Sequence, residues 1–179
     1  MELNTEKPWI IEIVAQLHTK LEADHFLVQL SDLSESLFNS KINFKDKLNA
    51  LFSSDFSVSI LNGIKEAKID ENNRIEVQNY LEQITESIKK TPVINITVAF
   101  RPKQSTTQKI YDWISLRLRK PVLLNFKVEK QIIAGAIIEF KGKYFEYTLH
   151  KSLNEYLTEH IKDLKTTRSS VPDQNGKLH

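Results

Sequence analysis

The sequence predicts an α+β protein in which a helical bundle is followed by a small α/β domain. Before Pro92, apolar residues recur at intervals of three and four, which is typical of amphipathic helices. After Pro92, runs rich in β-branched residues indicate strands. Charge changes as well, since residues 1–100 carry a net charge of −5 and residues 101–179 one of +7. We expect a helical domain at 1–90, an α/β domain at 91–165 and a disordered tail at 166–179.

Composition excludes several classes of protein. The 179 residues contain no cysteine, which rules out disulfides, thiolate metal sites and a cysteine nucleophile. No apolar run approaches the roughly 18 residues of a membrane span. The first twenty residues lack a basic start and an apolar core, so no signal peptide is predicted. The charge split suggests two units with different partners, although a chance imbalance of solvated faces would also produce it.

The first half is predicted to hold five helices. Thr5 is a suitable cap for the first helix and Pro8 a suitable first-turn residue. This helix should run to about Leu21, and a second can begin at Asp24 with an apolar face that ends at Leu37.

Three further helices complete the predicted bundle. Leu48 and Phe52 mark a short one, and Ile60 marks another that Gly63 weakens. The last begins at residue 70 or 71 and ends at Lys90, where a lysine pair complements the helix dipole. Its predicted inward residues are Ile75, Leu81, Ile84 and Ile88.

In the second half of the sequence, the pattern predicts secondary-structure elements in the order strand, helix, strand, strand, strand, helix. A helix capped by Ser105 should end before Pro121, and Lys141-Gly142-Lys143 should form a hairpin turn. The strands are predicted at 93–100, 122–128, 132–140 and 144–149, and the closing helix at 152–165.

Every common catalytic pattern is missing from the sequence. Four glycines cannot build a phosphate-binding loop, and the glycine-rich nucleotide motifs are absent. His18 and His25 lie two helical turns apart, too far to share a metal ion within one helix. We therefore predict a protein that is not an enzyme and has no catalytic residue, metal site or cofactor.

Nucleic-acid binding is the alternative function. The second half is basic, with Arg117 and Arg119 at a helix end and Lys141 at a hairpin tip, and Tyr144 and Tyr147 could stack on bases. However, aromatics that pack in a sheet and cations at a helix end are also routine. The glycine clamp of KH modules and the aromatic run of RRM domains are absent, so an RNA-binding or ribosome-associated module is the second hypothesis.

The segment from Val128 to Leu153 carries the most specific pattern. It resembles, without a gap, the C-terminal signature of the delta subunit of F-type ATP synthases, called OSCP in mitochondria. That signature has a strand ending in Val-Asp, then Leu-Ile-Gly-Gly, a basic hairpin tip, Asp-Gly-Ser and a basic stretch ending in Leu. The corresponding motif residues here are Glu129, Ile132, Ala134, Gly135, Glu146, Thr148, Lys151 and Leu153.

Two glycines of the family pattern are replaced. Ala134 takes the place of the first glycine of the pair, and Tyr147 that of the glycine in Asp-Gly-Ser. The retained Gly135 indicates a bulge or a close backbone approach, or simply a small residue at a crowded position. Glu146 and Thr148 could bond backbone donors where the last strand becomes a helix, or lie on the surface. The resemblance covers about residues 93–155.

The resemblance implies a stator protein that supports proton-driven ATP synthesis. Its helical domain would hold the N-terminal helices of the large subunits of the catalytic head, and its C-terminal domain the b-type subunit of the peripheral stalk. It implies a peripheral location on the cytoplasmic, matrix or stromal face of the energy-coupling membrane, reached only through the complex, and no direct nucleic-acid partner. Trp9 and Phe26 are candidates for a groove that takes a partner helix, with core packing as the alternative.

Overall fold

The computed structural model describes residues 7–39 and 43–168, and in them seven helices and four strands. The predicted α+β class is confirmed, because five helices precede a small α/β region. The expected cap Thr5 lies outside the described residues, as do residues 169–179 of the expected tail. The elements are α1 (Pro8–Ala15), α2 (Lys20–Asn39), α3 (Phe44–Leu51), α4 (Ser54–Glu66), α5 (Arg74–Lys90), β1 (Val93–Val98), α6 (Gln104–Leu118), β2 (Leu123–Val128), β3 (Gly135–Phe140), β4 (Lys143–Thr148) and α7 (Leu149–Arg168).

The chain divides into two compact units, each built from two segments. The first unit comprises Met1–Asn95 and Pro102–Phe126, and the second comprises Ile96–Arg101 and Lys127–His179. Helix α6 and the start of β2 therefore belong with the five N-terminal helices. The domain boundary at residue 90 stays a prediction.

The first and second helices meet at a capping box that sequence analysis missed. The Glu22 carboxylate accepts hydrogen bonds from the backbone N–H groups of His18 and Thr19, both at 3.0 Å. In return, the Glu22 N–H donates to Thr19 Oγ1 at 3.2 Å. Because these bonds fix a helix start, α1 ends at Ala15 instead of continuing to Leu21, and α2 begins at Lys20 instead of Asp24.

A buried tyrosine organises the centre of the first unit. The Tyr80 hydroxyl donates to the Ile60 carbonyl at 2.9 Å, and its ring stacks on Trp9 with centroids 4.6 Å apart. Burial, with smaller contributions from Glu66 and Glu12, raises the pKa of Tyr80 well above its usual value. The hydroxyl therefore stays a donor at any physiological pH.

Gly63 leaves room for the Tyr80 hydroxyl. A Cβ atom on Gly63 would lie 2.2 Å from Tyr80 Oη, closer than any tolerated contact. The glycine that was expected only to weaken α4 thus permits the packing of α4 against α5.

Helix α5 begins later than predicted. Asn73 caps it, accepting a hydrogen bond from the Glu76 N–H at 3.4 Å. With this start, Ile75 falls on the outer side of the first turn and is 67% exposed, so its predicted inward position is wrong. Leu81, Ile84 and Ile88 are buried as predicted.

Helix α6 is attached to the N-terminal helices within the first unit. The Tyr111 hydroxyl donates to the Ala15 carbonyl at 3.1 Å, and its ring lies 4.4 Å from that of His18. The Leu124 N–H donates to the His18 carbonyl at 2.9 Å, which pairs the start of β2 with the α1–α2 connection. Ser105 does not cap α6, because the helix already begins at Gln104.

The four strands form one sheet in the order β2-β1-β3-β4. Strands β3 and β4 are antiparallel, with Phe140 opposite Lys143, so the connecting turn has only two residues. These are Lys141 and Gly142, with φ values of 50° and 73°, as a type I′ hairpin requires. The predicted hairpin turn is confirmed.

In this region, the starts of β3 and α7 differ most from the prediction, by three residues each. Strand β3 begins at Gly135, because Ile132 lies in the preceding turn, where its N–H donates to the Glu129 carbonyl at 3.1 Å. Helix α7 follows β4 directly, beginning at Leu149 instead of 152, and reaches Arg168. Residues 166–168 are thus helical and not part of a tail.

Candidate partner-binding surfaces

Gly135 lies at a close contact between the two strands of the hairpin. Its φ is +102°, a conformation that side chains of L-residues disfavour. A Cβ at this position would lie 2.0 Å from the Tyr147 carbonyl oxygen and 2.8 Å from Thr148 Cα. The close backbone approach, one of the two explanations considered for this glycine, is therefore what the structure shows.

Thr148 joins the last strand to the last helix. Its hydroxyl oxygen accepts a hydrogen bond from the Lys151 N–H at 3.2 Å and its O–H donates to Glu146 Oε1 at 2.6 Å. Thr148 is therefore the N-cap of α7, and Glu146 orients the capping hydroxyl. Both side chains were expected either to bond backbone donors at this junction or to lie on the surface, and among the described hydrogen bonds Thr148 is the one that accepts from a backbone N–H.

Five motif residues line one open depression of about 490 Å³ in the second unit. They come from the start of β3, the end of β4 and the first turn of α7. The hairpin register brings them together, since Gly135 lies opposite Thr148. They are Ala134, Gly135, Glu146, Thr148 and Lys151.

The other three motif residues lie apart from this depression. Glu129 is half-buried, and its N–H donates to the Val98 carbonyl at 2.9 Å. Ile132 is buried and holds the turn before β3. Leu153 is exposed on α7. The motif therefore combines structural positions with surface positions.

Helix α7 presents an apolar stripe to solvent. Leu149, Leu153 and Leu157 recur every four residues and are all about half exposed. Apolar residues at this spacing line one face of a helix, which normally packs against another element. We call these three residues the α7 stripe. Other large apolar side chains exposed in the second unit are Phe100, Val128, Ile133, Tyr144, Phe145, Tyr147 and Tyr156.

Trp9 and Phe26 do not form an open groove. Trp9 is 6% exposed and stacks on Tyr80, and Phe26 is 2% exposed. The Phe26 ring lies 5.0 Å from that of Phe52 and 4.7 Å from that of Phe56. Both side chains belong to the core, because the helices around them close over their rings.

The described part of the chain offers no catalytic cluster. No group of three or more His, Asp or Glu side chains among the described residues could hold a metal ion. Burial and, to a smaller extent, the Asp112 carboxylate raise the pKa of Tyr111 above its usual value. None of the described helices is long and apolar enough to cross a membrane.

Some determinants of these surfaces escaped sequence analysis. The Thr19–Glu22 capping box follows the spacing of a known helix start and could have been recognised. The role of Tyr80 could not, because it depends on Gly63 and Trp9 from two other helices.

Comparison with known proteins identifies a family to which the chain is similar. The family model described as ATP synthase delta (OSCP) subunit matches residues 12–159. It spans both compact units and most of the chain. No curated protein matches.

Proposed function

Because the chain belongs to the ATP synthase delta (OSCP) subunit family, we propose that it is a non-catalytic stator subunit linking the catalytic head of a rotary F-type ATP synthase to its membrane-anchored stalk. The observation that carries this proposal is the family match over residues 12–159. The match includes the N-terminal helices, where no residue-by-residue resemblance was found.

The two units supply different surfaces for such a link. In this proposal the helical unit binds the N-terminal helices of the large head subunits. The second unit binds the b-type stalk subunit, and the α7 stripe is the surface we assign to it. A helix laid along this stripe would bury three leucines that the chain alone leaves exposed. The membrane is then reached only through the complex.

A stator needs binding energy and stiffness but no reacting group. It holds the head against the torque of the rotor. Two binding interfaces, whose side chains are held rigidly by the fold, are enough for this task. Nothing in the described residues or in the comparisons favours the RNA-binding alternative.

Reconstitution tests the proposal. ATP synthase stripped of this chain should still hydrolyse ATP in its head, but ATP-driven proton pumping should be lost. Adding the purified chain back should restore pumping, because the head is again held against rotation. Pumping that is unaffected by removal of the chain would contradict the stator assignment. Recovery of nuclease-sensitive ribosomes with the tagged chain, in place of synthase subunits, would favour the RNA alternative.

A further inference from the structure

The outward face of α6 exposes an aromatic and an aliphatic side chain beside cations. Trp113 is 57% exposed and Leu116 79% exposed, although both belong to a helix whose other face is buried through Tyr111 and Ile114. Lys109 and Arg117 lie on the same outward face. We call Lys109, Trp113, Leu116 and Arg117 the α6 ridge. All four residues belong to the first unit.

Arg117 is held in position by Trp113. The centre of its guanidinium lies 3.8 Å from the centroid of the Trp113 ring, a close cation–π contact. Among the described residues neither Arg117 nor Lys109 forms an ion pair. The one carboxylate on this side, Asp112, accepts a hydrogen bond from Gln108 Nε2 at 2.8 Å instead. The ridge therefore presents two cations without a carboxylate partner in the described part of the chain, and the Trp113 ring holds one of them, Arg117, in a position where its N–H groups can donate to a ligand.

The fold itself gives no reason for this exposure. Tyr111 and Ile114 already attach α6 to the first unit, so Trp113 and Leu116 are not needed for packing. Tryptophan and arginine are the residue types most often responsible for affinity at protein interfaces.

We propose that the α6 ridge is a docking site for an acidic amphipathic helix of a protein partner. The inference rests on the proposed function, under which the first unit binds the catalytic head, so the partner helix belongs to a subunit of that head. A row of side chains at positions 109, 113, 116 and 117 extends over about 12 Å and fits the groove of a crossing helix. The partner must be acidic, because Arg119 and Lys120 follow directly and add two further cations to the end of α6.

A membrane and a nucleic acid fit this surface less well. A helix that lies in a lipid interface inserts a broad apolar face, whereas the outward face of α6 exposes only Trp113 and Leu116 beside charged side chains, and Tyr111 and Ile114 are buried. Single-stranded nucleic acid needs a groove lined with cations and several aromatics, whereas the ridge has one aromatic and Asp112 beside it.

The two tryptophans of the chain make the test selective. Trp9 is buried, so acrylamide should quench mainly the fluorescence of Trp113. The full-length chain is titrated separately with the purified head, with the soluble part of the stalk subunit, and with phosphatidylglycerol–phosphatidylcholine vesicles. We expect the head to protect Trp113 from quenching, and the Trp113→Phe variant to lose this change.

Affinity measurements complete the test. Trp113→Ala and Arg117→Glu should each weaken binding to the protecting subunit at least about tenfold. Val58→Ala, at a similarly exposed apolar residue of the first unit, should leave it unchanged. Binding of the head without protection of Trp113, or protection by the stalk subunit or by vesicles alone, would overturn the α6 proposal and leave the stator assignment standing. If the wild-type chain binds neither assembly, the proposed function fails, and the α6 proposal fails with it.

Discussion

The two compact units use their apolar side chains in opposite ways. In the first unit, aromatic and aliphatic residues from all five N-terminal helices close around Tyr80 and Phe26. In the described part of the second unit, only Ile96 and Ile132 are buried apolar residues, whereas the α7 stripe and the aromatics of the hairpin face solvent. The first unit is thus stabilised by its own core, and the second relies on backbone hydrogen bonds, on a helix cap and, in our proposal, on a partner.

The largest effect is expected at Gly135, where the second unit has no core to absorb a change. Gly135→Ala should destabilise the hairpin by about 4 kcal/mol, because the new Cβ meets backbone atoms and the positive φ is retained. The rates of hydrogen exchange of the β3 and β4 amides measure this loss of hairpin stability. Gly142→Ala is the matched control. It also has positive φ but has nothing within 4 Å, so its cost should be about 1 kcal/mol. Equal costs for the two variants would contradict this explanation.

The matching test in the first unit concerns Gly63. Gly63→Ala should cost about 3 kcal/mol of unfolding free energy, because the added methyl group overlaps the Tyr80 hydroxyl. Urea denaturation of the single and double variants checks the cause. In the Tyr80→Phe background the same substitution should cost far less, since the overlapping oxygen is gone. A cost that is independent of Tyr80 would show that Gly63 acts through backbone entropy alone.

A smaller effect, on binding only, is expected at the α7 stripe. Leu153→Glu should weaken binding of the stalk subunit by about 2 kcal/mol, while the thermal stability of the isolated chain changes little. Calorimetric titration with the soluble stalk subunit measures the affinity. Thr158→Glu places the same charge on another face of α7 and serves as control. If Leu153→Glu unfolds the free chain, the leucine is a core residue, and the contrast between the two units is weaker than described.

The smallest effect is expected at the cap of α7. Thr148→Ala should cost about 1 kcal/mol, because the Lys151 N–H loses its acceptor. Thr148→Ser keeps the hydroxyl and should restore most of the stability. Helix content measured by circular dichroism during thermal unfolding compares the two variants. If the serine variant is no better than the alanine variant, the Thr148 methyl group matters more than its hydrogen bond.

Local chemistry allowed much of this fold to be predicted from the sequence. The helical half, the strand order along the chain and the Lys141-Gly142 turn each depend on neighbouring residues, and all are present. The position of Ile75 was wrong because α5 begins at Arg74, three or four residues later than predicted, which leaves Ile75 on the exposed side of the first turn.

The surfaces were harder to predict, for a different reason. Family resemblance identified the motif residues, but only the register of β3 against β4 brings Gly135 and Glu146 to one depression. The exposure of Trp113 likewise depends on which face of α6 packs inward. That face is chosen by Tyr111 through its bond to Ala15, nearly a hundred residues away in sequence.

The direct junction of β4 and α7 has a mechanical consequence. No linker separates Thr148 from Leu149, and the Leu149 N–H donates to the Ala134 carbonyl at 2.9 Å, just before β3 begins. A force applied to α7 therefore passes directly into the hairpin, because no flexible linker lies between them. The force is shared between β4, through the backbone, and the residue before β3, through the Leu149–Ala134 hydrogen bond. Under the proposed function, such a joint transmits tension from α7 to both strands of the hairpin at once.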